Sequence, residues 1–287
     1  AASGAVFRTP PANHEKNNTM IPHDTINKLE ETWNSISEFC AHLTEQQWKS
    51  ASQLPAWTVQ DNLSHIVGTE NGLEGLPRTT HQATDMSHTR NPIGEMNEHD
   101  VDSRRSMTGA AVLAEWNTLA ATRLHTLRNA DDDYFNKESF TPTGPGTLAD
   151  FLHIRVLDCW IHEQDMRRAV NMPGHQSGPA AEHTIDRLIR TVPIVVGKRA
   201  ATPEGGTVVI VITGPVQRTI ATTIVEGRAQ LSTEIPDSVL TTITMDSDTF
   251  VQLATGRATH EQLASHITSA GDIELATRVV SQFNMMI

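Results

Sequence analysis

The stretch Thr147-Leu-Ala-Asp-Phe-Leu-His-Ile-Arg-Val-Leu-Asp-Cys-Trp-Ile-His-Glu-Gln-Asp-Met-Arg-Arg-Ala-Val170 repeats apolar residues at three- and four-residue spacings, the period of a helix with a buried face. One stripe of that helix reads Leu148, Phe151, Leu152, Arg155, Asp158, Cys159, His162, Met166, Ala169: apolar, then ionisable, then apolar again. Asp158 and His162 are four residues apart, about 40° out of phase and roughly 6 Å apart along the axis, so one cation fits between their side chains. A carboxylate buried without a partner is costly, which leaves two explanations. Either Arg155, Asp158 and His162 form an internal hydrogen-bond network that fixes helix packing, or Asp158 and His162 ligate a metal whose third ligand comes from another segment. The spacing leaves both open.

The chain is long enough, at 287 residues, for one large or two ordinary domains, and two is the better expectation. A formal net charge of −12, from 22 basic and 34 acidic side chains, with no basic run, argues against general affinity for nucleic acid or anionic membranes. Two cysteines, Cys40 and Cys159, exclude a disulfide framework or a cysteine-rich zinc site and fit a reduced, cytoplasmic setting. No apolar run is long enough to span a bilayer, and the N-terminus lacks the apolar core of a signal peptide. Residues 1–19, polar and Pro-bearing, read as a disordered or artificially appended leader, with Met20 as a candidate start.

Outward from the opening stretch, the pattern is helical from Asp24 to about Ala200. Ile26, Leu29, Trp33, Ile36 and Cys40 mark an amphipathic helix over Asp24–His42. A second helix starts at Thr58, where Thr-Val-Gln-Asp has the form of a capping box, and carries His65. A His-rich connection follows from about Arg78 to Asp102, with His81, His88 and His99, then a third helix over Ser106–Arg128 and a shorter one over Ala180–Lys198. Four long helices predict an up-and-down bundle. The character changes near Pro203-Glu-Gly-Gly: Thr207–Thr213, Arg218–Val225 and Val239–Met245 are β-branched runs that read as strands with antiparallel neighbours. Helix returns at Asp246–Arg257, His260–Ile267 and Ile273–Phe283. All five Trp residues precede Glu163, which supports two separately built cores.

Taken together, Leu54-Pro-Ala-Trp-Thr-Val-Gln-Asp-Asn-Leu-Ser-His65 and Asp158-Cys-Trp-Ile-His-Glu-Gln-Asp165 resemble the DinB-like metal-binding four-helix bundles, and more narrowly the actinobacterial mycothiol-dependent maleylpyruvate isomerase family. The resemblance implies His65, Asp158 and His162 as ligands of a divalent metal. The family often carries Glu at the acidic position, so Asp158 is a departure whose shorter side chain bears on geometry and affinity. Thr242-Ile-Thr-Met-Asp246, Phe250-Val-Gln-Leu-Ala-Thr-Gly-Arg257 and Gly271-Asp-Ile-Glu-Leu-Ala276 are similar to the sterol-carrier-protein-like domain fused to such bundles. The expected fold is α+β in two domains: a DinB-like bundle over residues 20–200, then a smaller sterol-carrier-like α/β domain over 201–287 with a mainly antiparallel sheet. The resemblance spans nearly all of residues 22–287. On an ideal helix His65 lies to the side of the Val59/Leu63/Ile66/Val67 stripe, so the residues alone also allow a solvated histidine there. His125, His153 and His183 read as partly exposed helix residues.

Two nitrogens and one carboxylate suit Zn²⁺ first, with Ni²⁺ or Fe²⁺ compatible, and leave a fourth position open. The resemblance implies mycothiol as the thiol co-substrate, deprotonated at that position to attack a small electrophile. Reversible addition to a conjugated double bond makes a cis–trans isomerase, whereas irreversible capture makes a thiol S-transferase. A non-catalytic carrier of an apolar ligand is the third reading. Arg257 is the candidate partner for a substrate anion, or equally a helix-end arginine. Asp165 is a candidate acceptor for the free ring N–H of His162, or a plain solvated carboxylate. Cys159 points about 100° away from Asp158 and reads as a packing residue. The expected assembly is a monomer or weak dimer that meets only small molecules.

Overall fold

The computed structural model describes residues 21–141 and 144–285; the expected leader over residues 1–19 lies outside them. The chain runs α1 (His23–Cys40), a short α2 (Glu45–Trp48), α3 (Val59–Glu74), α4 (Pro92–Asp102), α5 (Gly109–Asn129), a short α6 (Asp132–Phe135), the hairpin β1 (Glu138–Thr141) and β2 (Gly144–Thr147), α7 (Leu148–Ala169) and α8 (Pro179–Ile189). The helices start where their sequences dictate. Thr58 accepts from the Asp61 amide while the Asp61 carboxylate accepts from the Thr58 amide at 2.8 Å, and Thr147 and Asp150 repeat that reciprocal cap at the start of α7. Gly75, at φ 78°, ends α3 in the left-handed conformation that glycine adopts without penalty.

Helices α1, α3, α5 and α7 form the bundle, with α1 and α3 each packed against both α5 and α7. Its core gathers Ile26, Leu29, Trp33 and Ile36 of α1, Leu63, Ile66 and Val67 of α3, Val112 and Trp116 of α5, and Leu152 and Val156 of α7, all buried. Trp33 and Trp116 meet edge to face at 5.7 Å between centroids. Each such side chain contributes about 1.5–3 kcal/mol through the surface it removes from water.

The segment expected as a connection over 78–102 is partly helical. Asn91 accepts from the Gly94 amide and Pro92 occupies the first turn, a helix start that the surrounding polarity masks in the sequence. Gly68 permits this packing of α4 on α3, since a Cβ there would stand 2.6 Å from that of Asp100. The three histidines of the segment tie it down: His81 pairs with Asp102, His88 lies 2.9 Å from Glu98, and the ring of His99 accepts from the Ala83 amide.

After α7 the chain returns past His175, whose ring bridges Glu163 on α7 at 2.7 Å and Glu31 on α1 at 3.0 Å. Burial alone would lower the pKa of this imidazole, but the two carboxylates raise it above its ordinary value. A pKa higher in the folded state adds stability that is complete below the unfolded value of about 6.5 and is lost as pH rises through the folded value. The expected outcome is a urea midpoint that falls between pH 6 and pH 9, with a shallower fall in the His175→Asn variant.

A π-helical turn, Ile194–Arg199, leads to a five-stranded sheet of β3 (Thr207–Thr213), β4 (Arg218–Val225), β5 (Arg228–Ser232), β6 (Thr241–Asp246) and β7 (Ile267–Gly271), in the order β5-β4-β3-β6-β7. Helices α9 (Ser247–Ala254) and α10 (Ile273–Ser281) pack against β6. The fold is thus α+β, a helical bundle followed by a mainly antiparallel sheet, as the sequence predicts. Two expectations are corrected. The central pair β3 and β6 is parallel, because β4 and β5 extend the sheet on one side before the chain crosses to the other. The helical turns expected over His260–Ile267 shrink to one 3₁₀ turn, Ala264–His266, since Ile267 and Thr268 pair with Met245 and Thr244 as the start of β7. Arg168 to Asp248 at 2.8 Å, Gln53 to Gln252 at 2.8 Å and Arg257 to Asp165 at 2.8 Å join sheet to bundle. Among the described residues, no helix is long and apolar enough to cross a membrane.

Candidate metal centre

The capping box at Thr58 fixes where α3 begins, and seven residues later His65 faces α7. The structure brings His65, Asp158 and His162 together, with one ligand atom of each lying within 4.8 Å of the others. His65 Nε2 is 3.2 Å from Asp158 Oδ2, and His162 Nε2 is 3.6 Å from Asp158 Oδ1. Atoms held about 2.0–2.1 Å from one zinc ion at tetrahedral angles stand about 3.3 Å apart, and the carboxylate presents one oxygen to each imidazole at close to that separation. The short Asp158 side chain therefore reaches both imidazoles. It keeps 20% exposure, whereas each histidine side chain keeps 8%, so the carboxylate is the face of the cluster nearest solvent.

The environment of His162 sets its tautomer. Asn62 donates through Nδ2 to the Ser52 hydroxyl and the Thr58 carbonyl, which turns its Oδ1 toward His162 Nδ1 at 2.7 Å. His162 therefore donates from Nδ1 and turns Nε2 toward the Asp158 carboxylate. In the neutral ring that a metal ligand requires, the Nε2 lone pair and the carboxylate face each other as two acceptors, an arrangement that a cation relieves. His65 Nδ1 is buried with no partner among the described residues. The indole of Trp57 packs against both rings, at 5.4 Å from His65 and 5.9 Å from His162. Its Nε1 donates to Glu98 at 2.9 Å.

The network weighed in the sequence is present as well. Arg155 donates to Asp158 Oδ2 at 2.6 Å and to Glu70 Oε1 at 2.8 Å, and Glu70 in turn receives Arg123 at 3.0 Å. Burial opposes ionisation of Asp158, but Arg155 and the two histidines hold its carboxyl well below the usual range. For His65, burial outweighs the pull of Asp158 and lowers the imidazole, leaving it neutral as a ligand must be. Cys159 is buried and its thiol is pushed up to about 12 by burial, in keeping with a packing role.

Asp165 and Arg257 were expected near the site, and the structure places both there. Asp165 Oδ2 is 3.5 Å from His162 Nδ1, farther than Asn62. Arg257 reaches across from the segment after α9 but donates from Nε and Nη2 to Asp165 and from Nη1 to the Thr255 carbonyl. Burial would raise the Asp165 carboxyl, yet Arg257 keeps it below its ordinary value. The guanidinium is thus engaged by protein. Of the other histidines, His125 is exposed and His153 and His183 stack on each other at 5.5 Å, apart from this cluster.

Asn62, Glu70 and Arg123 were missed from sequence. A buried Asn one turn before a candidate ligand is the one available signal, since residues three apart share a helix face. Asn62→Ala is expected to weaken zinc binding about 10- to 100-fold while the helical circular dichroism is retained, because His162 loses its orienting acceptor while the helices keep their backbone hydrogen bonds; competition against a zinc-sensitive dye reads the change.

Residues 29–167 match the family described as the mycothiol maleylpyruvate isomerase N-terminal domain. Among solved structures, one titled "Crystal structure of the mycothiol-dependent maleylpyruvate isomerase" aligns with a TM-score of 0.54 at 15% identity, covering 86% of this chain and 92% of that chain. A histidine-to-alanine mutant of that isomerase aligns with a TM-score of 0.52 at 15% identity and the same coverage. At this identity the likeness is one of fold. No curated protein matches the chain in sequence.

Proposed function

Since residues 29–167 belong to the family of mycothiol maleylpyruvate isomerase N-terminal domains, we propose that this chain is a metal-dependent enzyme that uses a low-molecular-weight thiol, mycothiol, on a small electrophile, acting as a cis–trans isomerase. The observation that carries the reading is the convergence of His65 Nε2, His162 Nε2 and the Asp158 carboxylate at 3.2–3.6 Å, with an imidazole lone pair aimed at a carboxylate. The donor set is the one zinc takes in catalytic sites, two histidines and a carboxylate with a fourth position left over. When bound, the ion acidifies a thiol at that position and so supplies a thiolate at neutral pH.

The chain's own residues do the rest. His65 is packed under Trp57, and His162 is oriented by donating to Asn62. Arg155 takes one oxygen of Asp158 and fixes its rotamer, which leaves the other oxygen to face His162. Trp57 covers both rings and keeps water from their edges, which strengthens every charge interaction inside. Arg257 acts through Asp165, steadying the carboxylate beside His162; a substrate anion that reached this arginine would displace Asp165 from it.

Reversible addition of the thiol to a conjugated double bond, rotation and elimination give isomerisation, and addition without elimination gives S-transfer. Both use the same centre, so product identity separates them. The test is metal stoichiometry of the purified chain, then incubation with mycothiol and either maleylpyruvate or a bimane electrophile. One equivalent of divalent metal with thiol-dependent fumarylpyruvate formation supports the isomerase, a stable bimane thioether alone replaces it with the transferase, and absence of stoichiometric metal overturns both in favour of a ligand carrier.

A further inference from the structure

A second cleft, of about 760 Å³, opens between the start of α1, the β1–β2 hairpin, the N-terminal half of α7 and the length of α8. Its volume lies within the range of small-molecule sites. His153, in its wall, is five residues before Asp158, about 140° round the same helix and so on a different face from the metal centre.

The acidic side chains of the cleft are engaged already. Asp24 pairs with Lys28, Asp150 accepts from the Thr147 amide and hydroxyl at 2.9 Å, and Glu182 and Asp186 hold Arg218 at 3.4 and 2.8 Å. The two arginines are not. Arg187 and Arg190, three residues apart on one face at the end of α8, both line the cleft, and neither has a hydrogen bond or ion pair among the described residues. Arg187 is half-buried, and burial together with Arg190 lowers its pKa from the ordinary value against an opposing pull from Asp150, whose carboxylate is already taken by the Thr147 cap. That such a pair persists in a chain of net charge −12 is a local exception to its electrostatics.

Between the arginines and α1 stand two parallel imidazoles. His153 and His183 stack at 5.5 Å and 14°; His183 Nε2 donates to the His153 carbonyl at 2.8 Å, and Thr25 lies 3.4 Å from His153 Nδ1. This leaves His183 Nδ1 and His153 Nε2 as polar atoms without a hydrogen-bond partner among the described residues. Burial lowers the His183 imidazole to about 4, so at neutral pH it offers a lone pair rather than a charge.

We propose that this cleft is a ligand site separate from the metal centre, in which Arg187 and Arg190 bind the oxyanion of a small organic molecule, a carboxylate or a phosphate, while His183 Nδ1 accepts from a hydroxyl of the same ligand. Guanidinium groups bind planar and tetrahedral oxyanions through paired N–H donors, and desolvation in a half-buried cleft strengthens them. The dipole of α8 also favours cations in its last turn, but that effect requires no ligand.

The test titrates succinate and inorganic phosphate, each at fixed ionic strength with chloride as reference, into the full chain at pH 7, while the imidazole resonances of His153 and His183 are followed by nuclear magnetic resonance. The expected result is a saturable shift of both histidines with at least one oxyanion and none with chloride. Saturation by succinate alone, phosphate alone or both identifies the anion class, and each supports the site. Arg187→Gln is expected to weaken the binding about 10- to 100-fold, the loss of one or two charge-assisted hydrogen bonds. Arg190→Gln, at an exposed position that leaves folding intact, weakens it about tenfold. Shifts that match those of chloride, or saturable binding unaltered in both arginine variants, overturn the proposal.

Discussion

Purified His162→Ala protein is expected to bind no stoichiometric divalent metal where the unsubstituted chain binds one equivalent, and to lose thiol-dependent turnover by on the order of 10³-fold, the rate equivalent of about 4 kcal/mol of charge stabilisation. His162 supplies the one nitrogen whose lone pair is fixed by a second hydrogen bond, so its removal takes away the best-oriented ligand of the three. The fold survives this change. His162 lies at the edge of the bundle core, and the direct cost is the unpaired Asn62 Oδ1, about 1–3 kcal/mol. A chelator makes the comparison sharper. An ion that binds only the folded chain at a thousand times its dissociation constant adds about 4 kcal/mol, so chelation should lower the urea midpoint of the unsubstituted protein and leave that of His162→Ala unmoved. Equal metal content in the two proteins by elemental analysis, or equal sensitivity to chelator, would remove the metal centre from the proposal.

How much of this was legible beforehand follows from where each contact lies in the chain. Asp158 and His162 stand on one helix at a spacing that declares a shared face, and Thr58 announces its capping box in four consecutive residues. Asn62, Glu70 and Arg123 do their work across helices, and no periodicity encodes which face of α3 meets α7 or α5. Helix α4 was hidden for a different reason: its buried side chains include Glu98 and Asp100, so the face it turns inward is polar and the amphipathic signal is inverted. Strands β5 and β7 are edges with mostly exposed side chains, held by backbone hydrogen bonds to β4 and β6, and a backbone ladder leaves no mark in side-chain hydrophobicity. Arg257 was placed near the site, but that its donors would be taken by Asp165 depends on how the sheet docks on the bundle, which the sequence does not state.

The two explanations of the ionisable stripe in α7 turn out to share one carboxylate: Arg155 holds Oδ2 of Asp158 while Oδ1 faces His162. This makes Arg155→Met the most informative change to the scaffold. Arg155 keeps 3% exposure and Glu70 none, so the substitution removes the cation shared by Glu70 and Asp158 and leaves Glu70 only Arg123 at 3.0 Å, at an expected cost of about 3 kcal/mol in urea unfolding of the metal-free protein. Adding Glu70→Gln should recover part of that loss, because Arg123 keeps Glu74 at 3.0 Å and the excess negative charge of the cluster is gone; simple additivity of the two changes would show that the groups do not act as a network. Metal then tells the two roles of Asp158 apart. A bound cation compensates the carboxylate that Arg155 leaves, so saturating zinc should return more stability to Arg155→Met than to the unsubstituted chain. The same addition to Arg155→Met/His162→Ala should return none, since the ion has lost the ligand that places it against Asp158.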